Sequence, residues 1–491
     1  MTFPLADLVT ILPELIVVVT ACLVLALEPI IPPRGKDGLA WMSVAALTVC
    51  FIVTASGMGD RVGAFGNLVV VDAYASFWKL LLYVVSGLTI LLSIGYLKEE
   101  RIDLAEFYGF LLLSLTGMMV MVSGADLLVI YLGIELMSIP LYILSGFKRF
   151  EARSIESSAK YFILGAFSSG LLLYGVSLIF GAAGSTRLAD IAAAVAGRGL
   201  NDPLVLMAMM LLIVGFGFKV AAVPFHMWTP DVYQGAPTSV TAFMAVASKA
   251  ASFGALLRVM LEGFGGVRSN WTGLILGLCL LTLMLGNLVA IVQTNVKRML
   301  AYSSIAHAGY ALIGLVVAGW VGTSAGTVSQ GTSSMMLYLA VYALMTVGAF
   351  AVIAILRRGG VEGDDLDDLT GLARQHKGVA LLMLLFMVSL AGIPPTAGFI
   401  GKLYLFMGAV NAGLTWLAVV GLLFAAVSAF YYLRVVMVMY MREPSPDQAR
   451  TTRLALSPTA VIVLAFAAAG VVIVGVYPGP LVAFTSSAAL P

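Results

Sequence analysis

Charge is scarce in this chain: Asp, Glu, Lys and Arg make up 11% of its 491 residues, against 61% hydrophobic ones. A soluble domain carries about 25% charged residues, so this balance excludes a soluble enzyme and predicts an integral membrane protein. The net charge of +2 leaves no basic surface for a nucleic acid. Cysteine is nearly missing as well. Cys22, Cys50 and Cys279 show no CxxC spacing, which excludes an iron–sulfur centre, a zinc site or a disulfide framework, and each reads as a core residue of an apolar helix. No charged stretch is long enough for a soluble domain; the longest, Arg357 to Lys377, reads as a connector. The first apolar run has neither a basic leader nor a small-residue cleavage site, so it is expected to stay as a membrane helix.

What is present is a succession of apolar runs. A hydrocarbon core of about 30 Å takes about 20 helical residues to cross, and fourteen spans of that kind follow one another: 8–28, 39–58, 73–97, 105–123, 125–147, 156–182, 204–234, 237–262, 271–293, 299–319, 332–356, 379–411, 414–441 and 455–478. The loops after the odd-numbered spans hold 16 Lys and Arg residues. The loops on the other side hold four: Arg61, Arg187, Arg198 and Arg268. Excess Lys and Arg marks the cytoplasmic side, which predicts both termini in the periplasm.

Against this apolar background, Glu135, Lys219 and Lys249 fall at the centres of their spans, and Lys402 slightly off centre. A charge at bilayer depth costs from about 3 kcal/mol to over 10, so such residues line a bundle interior and mark ion or proton paths. The bland alternative for Glu135 and Lys219 is a structural ion pair that only fixes helix packing. Lys79, Lys160 and Arg258 lie near helix ends and are expected to snorkel to the interface. Arg434 lies toward the cytoplasmic end of its span and is also read as structural.

Two spans are broken. Span 7 contains Pro224 and Pro230 within Lys219–Asp231, and span 12 is interrupted at Gly392-Ile393-Pro394-Pro395-Thr396. Proline removes a helical hydrogen bond, and at membrane depth the freed backbone groups must face protein or trapped water. Broken helices in corresponding halves mark ion sites in transporters. The separations Glu135–Lys219–Lys249 are 84 and 30 residues, and five spans later His307–Lys402–Arg434 are 95 and 32 residues apart. Because five is odd, spans 9–13 would be an inverted copy of spans 4–8. The expected organisation is therefore one membrane domain over 1–491, made of helices 1–3 (1–104), a first repeat (105–262), an inverted repeat (271–441) and helix 14 (455–478).

Phe218-Lys219, Trp228-Thr229-Pro230-Asp231-Val232-Tyr233-Gln234-Gly235-Ala236-Pro237-Thr238, Thr241-Ala242-Phe243 and Ser248-Lys249 closely resemble the N subunit of bacterial proton-pumping NADH:quinone oxidoreductase, respiratory complex I, whose mitochondrial counterpart is subunit 2. Leu12-Pro13-Glu14, Lys297-Arg298-Met299-Leu300-Ala301-Tyr302-Ser303-Ser304-Ile305-Ala306-His307 and Gly398-Phe399-Ile400-Gly401-Lys402 extend the resemblance over essentially the whole chain. The related L and M subunits, and subunits of multi-component cation/proton antiporters, usually carry a Trp-x-Pro-x-Ala-His run where this chain has Trp228-Thr229-Pro230-Asp231-Val232-Tyr233. The L subunit also continues into a long lateral helix, whereas this chain stops soon after span 14. Ser239 departs from a proline expected in many relatives.

The resemblance implies an antiporter-like translocase subunit of the electron-transport chain in a bacterial inner membrane. Glu135 and Lys219 would form a Glu–Lys pair, Lys249 the middle relay and Lys402 the exit relay on the periplasmic side of centre. A carboxylate favours the charged lysine and burial opposes it, so moving the pair apart or together would switch proton holding and release. His307 would link Lys249 to Lys402 or serve only as a helix-contact residue. His226 would hydrogen-bond freed backbone or join the path. The subunit itself is expected to hold no cofactor or metal. NAD, FMN, iron–sulfur clusters and quinone belong to other subunits, and the partners are L- and M-type and small membrane subunits in the lipid bilayer. Gly215-Phe216-Gly217 lies in a membrane helix without the strand and acid of a dinucleotide fingerprint. Asn270-Trp271-Thr272 fits a glycosylation sequon and is irrelevant in a bacterial membrane. Two other classes remain: a subunit of a cation/proton antiporter driven by membrane potential, and a scaffold whose charges only hold an assembly together.

Overall fold

Away from water every backbone N–H and C=O must find a partner within the protein, and an apolar run satisfies this alone only as a helix. The computed structural model describes residues 5–32, 35–59, 61–321, 326–358, 361–444 and 452–490, and they form an all-α bundle with two small sheets at its ends. The chain opens with α1 (Leu5–Thr10) and α2 (Leu12–Leu27), then α3 (Asp37–Ser56), the hairpin β1 (Val62–Ala64) and β2 (Val69–Val71), α4 (Ala73–Glu99), α5 (Glu106–Ser123), α6 (Leu127–Ser145) and α7 (Ala152–Ala183). There follow α8 (Leu188–Arg198), α9 (Pro203–Val220), α10 (Thr229–Gly235) and α11 (Thr238–Gly263). The second half contains α12 (Arg268–Ile291), α13 (Val296–Gly319), α14 (Thr327–Ile355), β3 (Leu356–Arg358), β4 (Val361–Glu362), α15 (Lys377–Ala391), α16 (Ala397–Asn411), α17 (Thr415–Met441), β5 (Thr452–Leu454), α18 (Pro458–Val476) and α19 (Gly479–Ala488).

Twelve of these helices are long and apolar enough to cross a membrane: α3 to α7, α9, α11 to α14, α17 and α18. Several begin at a side-chain cap. Asp72, Asp126, Asp202, Asn295 and Ser457 each accept backbone N–H bonds that a first helical turn leaves free. The two expected breaks are real. α9 stops at Val220, Ala221 adopts φ +60°, and seven further residues precede α10; α15 stops at Ala391, Gly392 adopts φ +86°, and α16 starts at Ala397.

Burial sorts the helices. The apolar windows of α11, α13 and α14 are 100%, 94% and 94% buried, whereas those of α3, α7, α12, α17 and α18 are 33–39% buried. The first group is therefore the centre of the bundle and the second its rim. Helices approach closely where side chains are small, the usual basis of association in lipid. Gly117 of α5 faces Gly133 of α6, and a Cβ at Gly117 would stand 2.2 Å from the Met137 backbone nitrogen. That contact brings α6, with Glu135 and Ser138, against the interior.

Some expectations need correction. Lys79 does not snorkel: it is 1% exposed and pairs with Glu14 of α2 at 2.6 Å. Nor does Arg258, whose fully buried guanidinium holds both Asp72 carboxylate oxygens at 2.8 and 2.9 Å and Glu262 at 2.9 Å. Tertiary partners replace the interface as the charge's neighbour in both cases. Cys50 and Cys279 are buried, but Cys22 faces outward. The connector after α14 is not featureless, since β3 pairs with both β4 and β5 in the order β4-β3-β5. The surface helix α8 and the terminal helix α19 had no counterpart among the expected spans, being short and only partly apolar.

Candidate functional site

The two breaks and the three most buried helices converge on a line of polar side chains through an otherwise apolar interior. At one end, Lys219 is carried on the last turn of α9, where the αL residue Ala221 ends the helix and leaves room for the turns beyond. Its amine donates to Ser138 Oγ at 2.7 Å, and Ser138 in turn donates to the Ile134 carbonyl at 2.6 Å, so a lone pair of the hydroxyl faces the lysine. Among the described residues no ion pair joins Lys219 to Glu135: Ser138, one turn after Glu135 on α6, receives the amine instead. The Glu135 Oε1 atom is buried without a hydrogen-bond partner among the described residues. The expected pair is thus a near neighbourhood, with a hydroxyl interposed.

Rings separate Lys219 from Lys249. The Trp228 indole N–H donates to the Phe218 carbonyl at 3.0 Å, its ring lies 6.0 Å from that of Tyr233, and the Tyr233 ring lies 5.9 Å from the Lys249 amine. Lys249 stands where α11 leaves a π-helical stretch, Met244–Ser248, and a second such stretch follows at Val259–Gly263. π segments inside α-helices are frequent at functional sites because they displace one side chain from the regular face. The displaced amine donates to the Ser304 carbonyl at 2.8 Å and the Ser304 hydroxyl at 2.6 Å, both on α13.

From Ser304 the run continues through hydrogen bonds and ring contacts. Tyr342 of α14 donates to Ser304 Oγ at 2.8 Å, and its ring lies 4.8 Å from His307. His307 is held between two phenols, Tyr338 on Nδ1 at 2.5 Å and Tyr432 on Nε2 at 3.1 Å. Tyr338 lies 6.2 Å from Tyr310, and the Tyr310 ring carries the Lys402 amine at 4.9 Å. Lys402 bonds the carbonyls of Leu390 and Ala391 at 3.0 and 2.8 Å. Those carbonyls are free because the break at Gly392 ends α15, so the break makes the lysine's seat. Gly392 is required there: a Cβ would stand 2.8 Å from Lys402 Cδ.

Lys219, Lys249, His307 and Lys402 are thus joined to one interior, and all four are at most 4% exposed. His226 is not brought in. It is half-buried beside Pro224 in the first break, and among the described residues no hydrogen bond links it to the lysines. Asp231, on α10, is instead a structural anchor, paired with Lys160 and Arg298 at 2.7 Å each. Arg434 is structural too, bonding the carbonyls of Ile291 and Gln293. Sequence reasoning did not single out Ser138, Ser304, Tyr338, Tyr342 or Tyr432. A buried hydroxyl near a span centre was the only available signal, and many hydroxyls share it.

The arrangement can hold protons on amines and an imidazole, with hydroxyls bonded to Lys219, Lys249 and His307 and ring contacts between these groups. Residues 124–428 match the family model described as NADH:quinone oxidoreductase/Mrp antiporter, TM. The chain is 43% identical to NADH-quinone oxidoreductase subunit N of Trichlorobacter lovleyi over 99% of this chain and 98% of that one. It is 45% identical to NADH-quinone oxidoreductase subunit N 2 of Rhizobium meliloti over 95% and 94%. Among solved structures, a chain of respiratory complex I from Thermus thermophilus with bound aureothin superposes with a TM-score of 0.79 at 33% identity, covering 96% of this chain and 98% of that one.

Proposed function

The chain belongs to the NADH-quinone oxidoreductase subunit N family, and from that premise we propose how its buried side chains move protons. It is a non-redox, antiporter-like membrane subunit of that oxidoreductase, a multi-pass protein of the bacterial inner membrane. Its energy comes from quinone reduction in other subunits of the complex. Lys219, with Glu135 beside it, is the coupling element; Lys249 is the middle relay; His307 with its tyrosines carries the proton across the centre; Lys402 is the exit relay. The observation that carries this reading is the run of hydrogen bonds and ring contacts Lys249–Ser304–Tyr342–His307–Tyr338–Tyr310–Lys402. A scaffold would need no such run, and polar groups at this depth are costly to retain.

Fourteen crossings fit the same reading, with α2 and the broken pair α15–α16 joining the twelve long helices. Inverted five-helix units, spans 4–8 and 9–13, are supported by a break in each unit beside a buried lysine. Both termini are assigned to the periplasm on the Lys and Arg bias of the loops. A cysteine placed near Arg358 that reacted only from the periplasmic side would overturn the orientation.

The relay itself is tested by Lys249→Ala and Lys249→Arg in membranes containing the assembled complex. Native gels report assembly of the subunit, and NADH oxidation with an artificial acceptor reports that the redox subunits are intact. Coupled quinone reduction and proton pumping should fall at least about tenfold in both variants, since guanidinium stays protonated at all working pH values. Wild-type pumping in the arginine variant would count against proton exchange at Lys249.

A further inference from the structure

At the end of the bundle that carries β3, β4 and β5, a cavity of about 790 Å³ opens among charged side chains, including Lys98, Glu100, Lys148, Lys297, Glu362 and Asp364. Most of these charges are spoken for. Glu100 takes Lys148 at 2.7 Å and also Arg357. Glu362 differs, because its closest ion-pair partner, Lys148, is 3.7 Å away and its close neighbours are hydroxyls. The Tyr96 hydroxyl donates to Glu362 Oε2 at 3.0 Å, and the Thr238 hydroxyl donates to Oε1. Tyr96 also accepts the Thr238 backbone N–H at 3.0 Å. Thr238 is the first residue of α11, the helix that carries Lys249. Glu362 therefore touches the charged cavity on one side and the start of the relay helix on the other, with its side chain only 9% exposed.

We propose that Glu362 loads protons from this vestibule into the membrane interior toward Lys249, an inference that rests on the relay role of Lys249. Water in the vestibule gives a proton to the Glu362 carboxylate. The carboxylic acid passes it to the Thr238 oxygen while the Thr238 hydroxyl releases its own proton onward, so carboxylate and hydroxyl are both regenerated. Lys249 as free amine takes the proton and becomes ammonium. From Thr238 the helix rises about 16 Å to Lys249, past Thr241, whose hydroxyl bonds the Tyr233 carbonyl at 3.1 Å, and past the Tyr233 ring beside the amine. Water admitted from the vestibule carries the proton over the rest of that distance. The charges around Glu362 fit a loading site. Burial is the largest single influence and works against its ionisation, but Lys297, Lys148, the Thr238 bond and Arg357 together outweigh it and hold its pKa below the usual value, so it waits as an acceptor.

The test uses membranes with the whole complex and the variants Glu362→Gln, Glu362→Asp and Glu362→Ala. Assembly is read from the subunit's presence in the complex on native gels, and transport from coupled quinone reduction. Gln and Ala should assemble and lose at least about tenfold in coupled turnover, with Asp retaining most of it. Formate, a small weak acid that fits the cavity, should restore Glu362→Ala to within about threefold of wild type. It should leave wild type and the double variant with Lys249→Ala unchanged. A purely structural carboxylate would not be replaced by a freely diffusing acid, so assembled variants that formate does not rescue overturn the proposal. If neither Gln nor Ala assembles, Thr238→Val leaves the charges in place and removes only the hydroxyl. It should also slow turnover at least about tenfold, and wild-type turnover there overturns the proposal. Wild-type turnover in Glu362→Gln with Lys249→Ala inactive refutes the loading role alone, whereas an active Lys249→Ala refutes the relay beneath it.

Discussion

Gly392→Ala acts on the exit relay without replacing a titratable group. Gly392 holds φ +86°, and the left-handed region costs an L-residue roughly 1–2 kcal/mol. The new methyl would also stand 2.8 Å from Lys402 Cδ and 3.2 Å from its amine, inside van der Waals contact with the lysine's present position. The flexible lysine yields more easily than the backbone of the break, and in yielding it leaves at least one of its bonds to the Leu390 and Ala391 carbonyls. Loss of one bond to a buried carbonyl adds about 1–3 kcal/mol. The sum, about 2–5 kcal/mol, corresponds to roughly one and a half to three and a half powers of ten in the population of the seated amine. Coupled NADH:quinone turnover and pumping should fall at least tenfold while NADH oxidation with an artificial acceptor stays at its wild-type level. Full pumping in assembled Gly392→Ala would refute the claim that the break exists to seat Lys402.

Three further outcomes follow from other parts of the same interior. Tyr342→Phe removes the hydroxyl that bonds Ser304, the partner of Lys249; at about 0.5–1.5 kcal/mol for a net hydrogen bond, coupled turnover should drop roughly two- to tenfold without loss of assembly. Asp72→Asn removes one of the two carboxylates paired with the buried Arg258 and leaves only Glu262, a loss of about 1.5–3 kcal/mol, so the subunit should be depleted from the complex on native gels. Burial is the largest single influence on Asp72 and Glu362 and opposes their charge, but the groups around each, led by Arg258 in one case and by Lys297 and Lys148 in the other, together outweigh it and depress both pKa values. Their contribution to stability is therefore complete above the ordinary carboxylate values and is lost as pH falls through the depressed ones. Hydrogen exchange of Leu356–Arg358 should stay slow from neutral pH down to about 4.5 and accelerate, after correction for intrinsic rates, only below it. Acceleration that began well above that value would show that the Glu362 cluster is not what holds this sheet end.

Much of this protein was legible before any fold was known, because lipid imposes strict rules on sequence. Each long helix that must satisfy its own backbone announces itself as an apolar run, and the prolines grouped at Pro224–Pro230 and Pro394-Pro395 announce the breaks that follow Val220 and Ala391, whereas Pro140 stays inside α6. Glu135, Lys219, Lys249 and Lys402 were visible because charge is expensive there. The same reasoning misread Lys79 and Arg258. Their distance from a helix end was readable, but Glu14 and Asp72 as partners were not, since those residues lie on or next to other helices.

The sequence by itself therefore determined the class of protein, its long apolar helices, its two breaks and the central charges Glu135, Lys219, Lys249 and Lys402, all of which depend on the local cost of removing a group from water. Only the tertiary structure decided who meets whom. Crossing angle and rotation of the packed helices put Ser138 rather than Glu135 against the Lys219 amine, and a π stretch in α11 set the Lys249 amine on Ser304. Three helices had to pack side by side before His307 could be clasped by Tyr338 and Tyr432. A hydrogen bond reaches about 3 Å, and no pattern along a chain specifies a distance that short between residues 31 to 125 positions apart.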